Sequence, residues 1–348
     1  MGGSNQIRAA GIYGTQGIPS LSNMPGARDN AVAWTDSQGN FWLFGGIGDD
    51  STDNTGLLND LWRYSNGEWT WMAGSNLSAQ PGTYGTKGVP SPQDSPGARF
   101  EATGWSDASG NLWLFGGTGI DSTGTSADLN DLWRFSNGEW SWVSGSNVGD
   151  QAGVWGTKGE PDSANVPSSR YGAVSWTDPF GNLWLFGGSG SGSGNCTSCS
   201  PQLGDLWRYS GGEWTWMGGS NLNSQPGVYG TEGLASADNV PPPRDDAATW
   251  TDAEGDFWLF GGVGAGDLDL NDLWEYRNGE WTWMNGSDQP CQNGTYGALG
   301  TPSSVNIPGA RDGAVTWTDE SGNLWFFGGE DTYCIGTATY NDLWEYQP

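Results

Sequence analysis

The chain has 348 residues, of which 60 are Gly and 24 are Trp, and it contains no His. Its 40 acidic and 12 basic residues give a formal net charge of −28, which repels phosphate backbones and makes nucleic acid a poor partner. The lack of His excludes Ser-His-Asp and Cys-His catalysis and His-ligated metals, and no apolar run is long enough to predict membrane insertion.

Four short segments, A to D, follow one another in the first repeat. Segment A (31–36) alternates apolar and polar residues, and segment B (41–46) reads Phe-Trp-Leu-Phe-Gly-Gly. Segment C (60–64) and segment D (68–72) are joined by the Asn66-Gly67 turn. Such alternation predicts β-strands, and Asn-Gly is a strong hairpin signal. We therefore predict four antiparallel strands.

The same segments recur along the whole chain. The second Gly of the pair that ends segment B stands at positions 46, 117, 188, 262 and 329, so that the repeats are 67 to 74 residues long. Tandem units of four antiparallel strands are typical of propeller blades. The sequence therefore predicts an all-β, five-bladed β-propeller that forms a single domain over residues 1–348.

Three features of each repeat resemble kelch repeats: an apolar strand that ends in Gly45-Gly46, an upstream Arg28 and a fourth strand that bears Trp69. The resemblance covers essentially the whole chain and implies a β-propeller. The chain is similar to the galactose oxidase propeller in fold only, because the copper site of galactose oxidase requires His ligands. The repeats exceed the usual kelch period of about 50 residues, since each carries a long extra connection.

The fifth repeat contains segments A to C but no segment D before Pro348. Three explanations compete. The fifth blade has three strands and lacks its own outer strand, the sequence is an excerpt of a six- or seven-bladed propeller, or a neighbouring chain supplies the strand. An unpaired edge strand is prone to pair with another chain, so self-assembly is among the expected functions.

One Arg and one Asp recur at constant positions in every repeat. A functional interpretation is a ring of cations that binds an anion, and a structural one is a bidentate Arg–Asp pair in each blade. The matching counts favour the structural pair. The residues concerned are Arg28, Arg99, Arg170, Arg244, Arg311, Asp60, Asp131, Asp205, Asp272 and Asp342.

The connections that follow segments B and D emerge on one face of such a blade, and functional groups usually lie on loops held by a rigid scaffold. Each D–A connection contains an aromatic residue that either stacks on a sugar ring or anchors the connection. These candidate ligand-binding residues are Tyr13, Tyr84, Trp155, Tyr229 and Tyr296.

Acidic runs in the B–C connections are candidate metal sites, although solubility also explains an acid excess. Calcium prefers several oxygen ligands, but the second run lacks the Gly and the terminal Glu of an EF-hand. The candidate ligands are Asp49, Asp50, Asp53, Asp267 and Asp269. The sequence requires no cofactor, and calcium is the one candidate.

Four Cys residues all lie in connections, which suggests disulfides and an oxidising compartment. Three pairings exist for four Cys. We favour Cys196–Cys199 and Cys291–Cys334, because the latter two lie on either side of the fifth blade. The expected location is therefore extracellular or at the cell surface.

These features predict a secreted or surface-exposed interaction or structural module without enzymatic activity. It would present acidic, variable loops to a protein partner or to copies of itself. The alternative is a lectin-like propeller that binds carbohydrate through the loop aromatics, with or without calcium. A carboxylate-based hydrolase is not expected, because no acid pair stands out from the repeats.

Overall fold

The computed structural model describes residues 3–190, 201–334, 336 and 338–348. In these residues every regular element is a β-strand, which confirms the all-β prediction. The described residues contain no helix that could span a membrane. The chain divides into two compact units, of which unit 1 comprises Met1–Val154 and Ala164–Gly172, and unit 2 comprises Trp155–Ser163 and Ala173–Pro348.

Segments A to D become strands, named here by the same letters. The A strands are Val32–Thr35, Thr103–Ser106, Val174–Thr177, Ala248–Thr251 and Val315–Thr318. The B strands are Phe41–Phe44, Leu112–Phe115, Leu183–Phe186, Phe257–Phe260 and Leu324–Phe327. The C strands are Leu61–Ser65, Leu132–Ser136, Leu206–Ser210, Leu273–Arg277 and Leu343–Tyr346. The D strands are Glu68–Ala73, Glu139–Ser144, Glu213–Gly218 and Glu280–Asn285.

Each of the first four repeats forms one antiparallel sheet in the order A–B–C–D. In the first repeat, Trp34 lies opposite Trp42, which lies opposite Arg63, which lies opposite Thr70. The fifth repeat forms a three-stranded sheet in the order A–B–C within the part of the chain that the structure describes. These are the sheets of propeller blades, as the repeat pattern predicted.

A second, smaller set of strands follows the repeat Arg and the Gly-Gly pair, where the sequence predicted only connections. In the first repeat, Arg28–Asp29 pairs with Ile47–Asp49, which pairs with Thr55–Leu57. Gly46 turns the chain out of strand B with a φ of 91°, and a Cβ there would collide with the carbonyl oxygen of Asp29. The other short strands are Arg99–Phe100, Thr118–Ile120, Ser126–Asp128, Arg170–Tyr171, Ser189–Gly190, Arg244–Asp245, Val263–Gly264, Leu268–Asp269, Glu330–Asp331 and Ala338–Thr339.

Aromatic side chains fill the space between neighbouring sheets within each unit. In unit 1, Phe44 of the first sheet meets Trp140 of the second at a ring-centroid distance of 5.6 Å. In unit 2, Phe186 of the third sheet meets Trp281 of the fourth, also at 5.6 Å. A Trp of strand D therefore packs against the preceding sheet, where it buries a large flat apolar surface.

Candidate functional site

The recurring Arg and Asp form a buried, bidentate ion pair. Nη1 and Nη2 of Arg28 donate to Oδ1 and Oδ2 of Asp60, both at 2.7 Å. Arg28 also donates to the carbonyl oxygens of Gly26 and Gly45, so that its guanidinium group connects three segments of the chain. Equivalent pairs join Arg99 to Asp131, Arg244 to Asp272 and Arg311 to Asp342. The corresponding residues of the third repeat, Arg170 and Asp205, are both buried.

The aromatic residue of each D–A connection contacts the same Asp. The hydroxyl of Tyr13 donates to Oδ2 of Asp60 at 2.6 Å, and its ring lies 4.9 Å from that of Trp62. Burial, followed by the charge of Asp60, raises the pKa of Tyr13. The equivalent hydrogen bonds join Tyr84 to Asp131, Trp155 to Asp205, Tyr229 to Asp272 and Tyr296 to Asp342. These bonds hold the long connection against strand C, and carbohydrate binding by the same residues stays a prediction.

The first predicted calcium run is a hydrogen-bonded turn. Both carboxylate oxygens of Asp50 accept hydrogen bonds, Oδ1 from Thr52 and Asn54 and Oδ2 from Ser78. These donors hold the pKa of Asp50 well below its usual range, despite the opposing effect of burial. Asp49 accepts a hydrogen bond from Thr55, and Asp53 is exposed. Hydrogen-bond donors of the protein therefore occupy carboxylate oxygens that were predicted to bind calcium.

The second run contributes Asp269 to a group of acids in unit 2 that we call the carboxylate cluster: Asp269, Asp312 and Asp331. The carboxyl groups of Asp312 and Asp331 lie near that of Asp269 and affect its pKa. Carboxylate oxygens of Asp269 and Asp331 lie within 4.8 Å of each other and of the Cys334 sulfur. Asp267 lies outside this cluster and accepts a hydrogen bond from Gln202.

Two backbone amides donate to the carboxylate cluster. Asp269 Oδ2 accepts a long hydrogen bond of 3.4 Å from the Tyr333 amide, and Asp331 Oδ1 accepts one of 2.9 Å from the Cys334 amide. Asp269 Oδ1 receives none from an N–H or hydroxyl donor. Burial raises the pKa of Asp269 to about 6. Burial and the Asp269 charge raise the pKa of Asp312 to about 8, so this group retains protons near neutral pH.

A disulfide borders the carboxylate cluster. Cys291 and Cys334 are bonded, with their Cα atoms 5.2 Å apart, which confirms this predicted pair. The amide of Cys291 also donates to the carbonyl oxygen of Asp269 at 2.8 Å, and this bond holds the cystine beside the acids. Because its sulfur is oxidised, Cys334 supplies no thiolate to the cluster. The predicted Cys196–Cys199 pair lies outside the described residues.

Trp281 of strand D is the central side chain between the third and fourth sheets. Its ring lies 5.6 Å from Phe186 and 6.3 Å from Trp176, both in the third repeat. It also lies 6.4 Å from Trp274 and 4.9 Å from Tyr276 in its own sheet. Four aromatic rings from two neighbouring sheets therefore surround one indole.

The fifth sheet has a cavity at the equivalent place. The cavity is lined by Trp250 and Phe260 of the fourth repeat and by Trp344 and Tyr346 of the fifth, among other side chains. These four residues occupy the repeat positions of the four rings that surround Trp281. The C strand Leu343–Tyr346 beside the cavity has no fourth strand on its outer edge within the described residues. An open sheet edge and an aromatic cavity thus lie side by side.

No family model and no curated protein matches the chain. Among solved structures it is similar to YjhT, with a TM-score of 0.53 and 14% identity over 93% of this chain and 82% of that chain. A fungal alcohol oxidase of the AA5 family, solved in complex with copper, matches with a TM-score of 0.42 and 11% identity over 90% of this chain and 62% of the oxidase. The fold is a β-propeller. Membership of the kelch family stays a prediction.

The prediction that the protein is not an enzyme is corrected. The similarity to YjhT removes the basis of that prediction. A likeness of this kind shows the fold alone, and because one fold hosts many unrelated functions, the fold does not favour a role without catalysis. The prediction also assumed that no acid pair stands out from the repeats. The structure brings Asp269 and Asp331 together although 62 positions separate them in the sequence.

Proposed function

We propose that the protein is an interaction module whose fifth repeat binds an extended segment with Trp at alternate positions, supplied by a partner protein. One observation carries the proposal. The cavity beside the open edge of the fifth sheet is lined by the same four aromatic positions that enclose Trp281 one repeat earlier.

The chain itself shows which segment fits such an edge. In each of the first four repeats, strand C pairs with a strand that begins Glu-Trp, followed two residues later by a second Trp. In the fourth repeat, Tyr276 lies opposite Trp281 and Trp274 lies opposite Trp283. The corresponding positions of the fifth repeat are Tyr346 and Trp344. Strand addition of this kind obtains affinity from main-chain hydrogen bonds and specificity from alternate side chains.

Most of the binding free energy is expected from burial of the indole ring of a Trp side chain. Burial of a Trp side chain of about 200 Å² is worth on the order of 5 kcal/mol at roughly 25 cal/mol per Å². An extended partner segment with Trp at alternate positions therefore meets both requirements of the site, the hydrogen-bonding edge and the aromatic cavity.

The cellular setting is proposed from the disulfide. Cystines persist in oxidising compartments and are rare in the cytosol, so the Cys291–Cys334 bond supports an extracellular or cell-surface location. The carbohydrate-binding alternative gains no support from the geometry. The side-chain donors of all five loop aromatics are engaged by Asp residues of the scaffold.

Titration calorimetry of the 348-residue chain with a peptide of residues 278–286 tests the proposal. We expect saturable binding, because the peptide has the Glu-Trp-Thr-Trp sequence of a D strand and occupies the open edge. The matched control peptide replaces Trp281 by Ser and should not bind measurably. A chain that binds neither peptide, or both equally, would contradict the proposal.

A pair of variants locates the contact. Tyr346→Ser removes one wall of the cavity and should weaken peptide binding. Phe180→Ser removes a ring that is 90% exposed in a turn of the third repeat and should leave peptide binding unchanged. Equal weakening by both variants would show that binding is a general effect of surface hydrophobicity.

A further inference from the structure

One face of the fifth sheet is exposed at positions that the fourth sheet buries. Its apolar side chains are 43 to 65% exposed, and we call it the leading face: Val315, Trp317, Phe327 and Leu343. In the fourth sheet, Trp250 and Phe260 occupy the repeat positions of Trp317 and Phe327. They are 6% and 3% exposed, because both pack against Phe326 of the fifth sheet. In unit 2 a leading face is therefore buried by the sheet that follows it.

The first sheet exposes the opposite face. Phe41 on this face is 55% exposed, and its apolar neighbours are only partly buried. We call it the trailing face: Phe41, Leu43, Tyr64 and Trp69. The fourth sheet buries all four of these repeat positions in a cluster with side chains of the third sheet: Phe257, Leu259, Tyr276 and Trp281. A trailing face is therefore buried by the sheet that precedes it.

Leading and trailing faces pack on each other inside the chain through matched aromatic pairs. Phe186 of the third sheet meets Trp281 of the fourth at 5.6 Å. Trp176 of the third sheet stacks on Phe257 of the fourth at 5.0 Å, with an angle of 11° between the rings. The same Phe–Trp contact joins the two sheets of unit 1. Both units therefore use one mode of sheet-to-sheet packing.

The first and fifth sheets each present one half of these aromatic pairs. Phe327 and Trp317 stand at the leading-face positions, and Trp69 and Phe41 stand at the trailing-face positions. Within the described residues, the ring contacts of Trp69 and Trp317 are confined to their own sheets. Exposed apolar faces of this kind mark interaction surfaces. The chain therefore carries both halves of one interface on two different sheets.

We infer that the leading face of the fifth sheet packs on the trailing face of the first sheet of a second copy of the chain. Phe327 then meets Trp69 of the second copy, and Trp317 meets Phe41, as their counterparts do between neighbouring sheets. No strand is exchanged, because every copy keeps its own D strands. The two faces differ, so the contact is head to tail and lets further copies add. This inference goes beyond strand binding at the open edge of the fifth sheet and uses another surface.

The charge of the chain sets the conditions for this contact. Each copy has a formal net charge of −28, so copies repel one another at low ionic strength. In about 1 M salt the Debye length falls to about 3 Å, which screens this repulsion but leaves an apolar contact in place. We therefore expect association to be stronger in about 1 M NaCl than in about 0.1 M NaCl.

Light scattering on the 348-residue chain in about 1 M NaCl tests the inference. We expect the mass to rise above that of the monomer as concentration increases. Phe327→Ser and Phe41→Ser each truncate one face and should weaken association by at least about tenfold, as expected for a central aromatic contact. The control Phe180→Ser removes a ring that is 90% exposed outside both faces and should leave association unchanged.

A mixture of the two variants identifies which faces meet. Phe327→Ser retains an intact trailing face and Phe41→Ser an intact leading face, so an equimolar mixture should form mainly dimers. Dimers in the mixture also show that both variants are folded.

Two results would overturn the inference. One is a monomer at every concentration in about 1 M NaCl. The other is association that either variant leaves intact, or a mixture that forms no dimer although circular dichroism shows both variants folded. Binding of the peptide of residues 278–286 takes place at the sheet edge, so the two proposals can fail separately.

Discussion

Two groups of buried acids in this protein have opposite surroundings. Asp131 faces Arg99 at 2.7 Å and accepts further hydrogen bonds from Tyr84 and Trp133. Asp269 has no cation beside it and leaves Oδ1 without a donor. The ion pair recurs along the chain, whereas Asp94, Asp245 and Asp269 are buried acids that each leave one carboxylate oxygen without a hydrogen-bond partner. Repetition of the ion pair therefore builds the scaffold, and the acids outside it are less well compensated.

The largest expected effect comes from breaking the ion pair. Arg99→Ala should lower the free energy of unfolding by about 3–5 kcal/mol, because it leaves the buried Asp131 charge without compensation. Urea unfolding measures the loss. Arg99→Lys keeps a charge but not the fork and should lose less. A loss below about 1 kcal/mol, which is the range of a surface ion pair, would show that the stability of buried Asp131 does not depend on its cation. Asp131 and Asp269 would then no longer differ in this respect.

The pH dependence of stability separates the two groups of acids. An Asp titrates near pH 3.9 in an unfolded chain, but the folded-state pKa of Asp269 is raised to about 6 and that of Asp312 to about 8. The folded state therefore binds more protons between about pH 4 and 8, so the free energy of unfolding should fall as pH rises through this window. Asp342 differs, because Arg311 and its other donors outweigh burial and lower its pKa to about 2. Its contribution should be present above pH 4 and be lost as pH falls towards 2.

Thermal unfolding across this range, with chelator present, measures both effects. The decline between neutral and alkaline pH should be smaller in Asp269→Asn, since that variant removes one of the interacting carboxylates. A stability that stays constant between about pH 5 and 8 would show that the carboxylate cluster is no less solvated than an ordinary surface acid.

The sign of a single charge removal provides the next test. Above about pH 8, where both Asp269 and Asp312 are ionised, Asp269→Asn should stabilise the protein by on the order of 1–2 kcal/mol, because it removes the repulsion between their carboxylates. The matched substitution Asp131→Asn should destabilise it, because it unpairs Arg99. Urea unfolding of the two variants compares them directly. Destabilisation of similar size in both would mean that Asp269 is as well compensated as Asp131.

The smallest expected effect concerns the connection anchors. Tyr84→Phe removes the hydroxyl that donates to Asp131 and should cost about 0.5–1.5 kcal/mol, the usual net contribution of an intramolecular hydrogen bond. The same change at Tyr296, whose side chain is 57% exposed, should cost less. Chemical unfolding of both variants measures the difference. Equal costs would show that exposure does not decide the strength of this anchor.

The sequence alone determined the repeated framework. Alternating segments and Asn-Gly turns are local signals, and their recurrence at nearly constant spacing specified the A to D strands and the propeller fold. The ion pairs were also foreseeable, because Arg99 and Asp131 recur together in matching positions. The short strand after Gly46 was missed, because a two- or three-residue strand has no measurable periodicity.

Only the tertiary structure decided the carboxylate cluster and the cavity. Asp269, Asp312 and Asp331 are far apart in the sequence and belong to two repeats, so their proximity depends on how neighbouring small sheets pack. No position signalled it, because Asp29 and Asp245 follow the repeat Arg in the same way as Asp312 does. The cavity beside Phe260 became visible only when packing showed that the same repeat position otherwise holds a Trp. Local propensity specifies strands, whereas burial and the absence of a partner are properties of the assembled sheets.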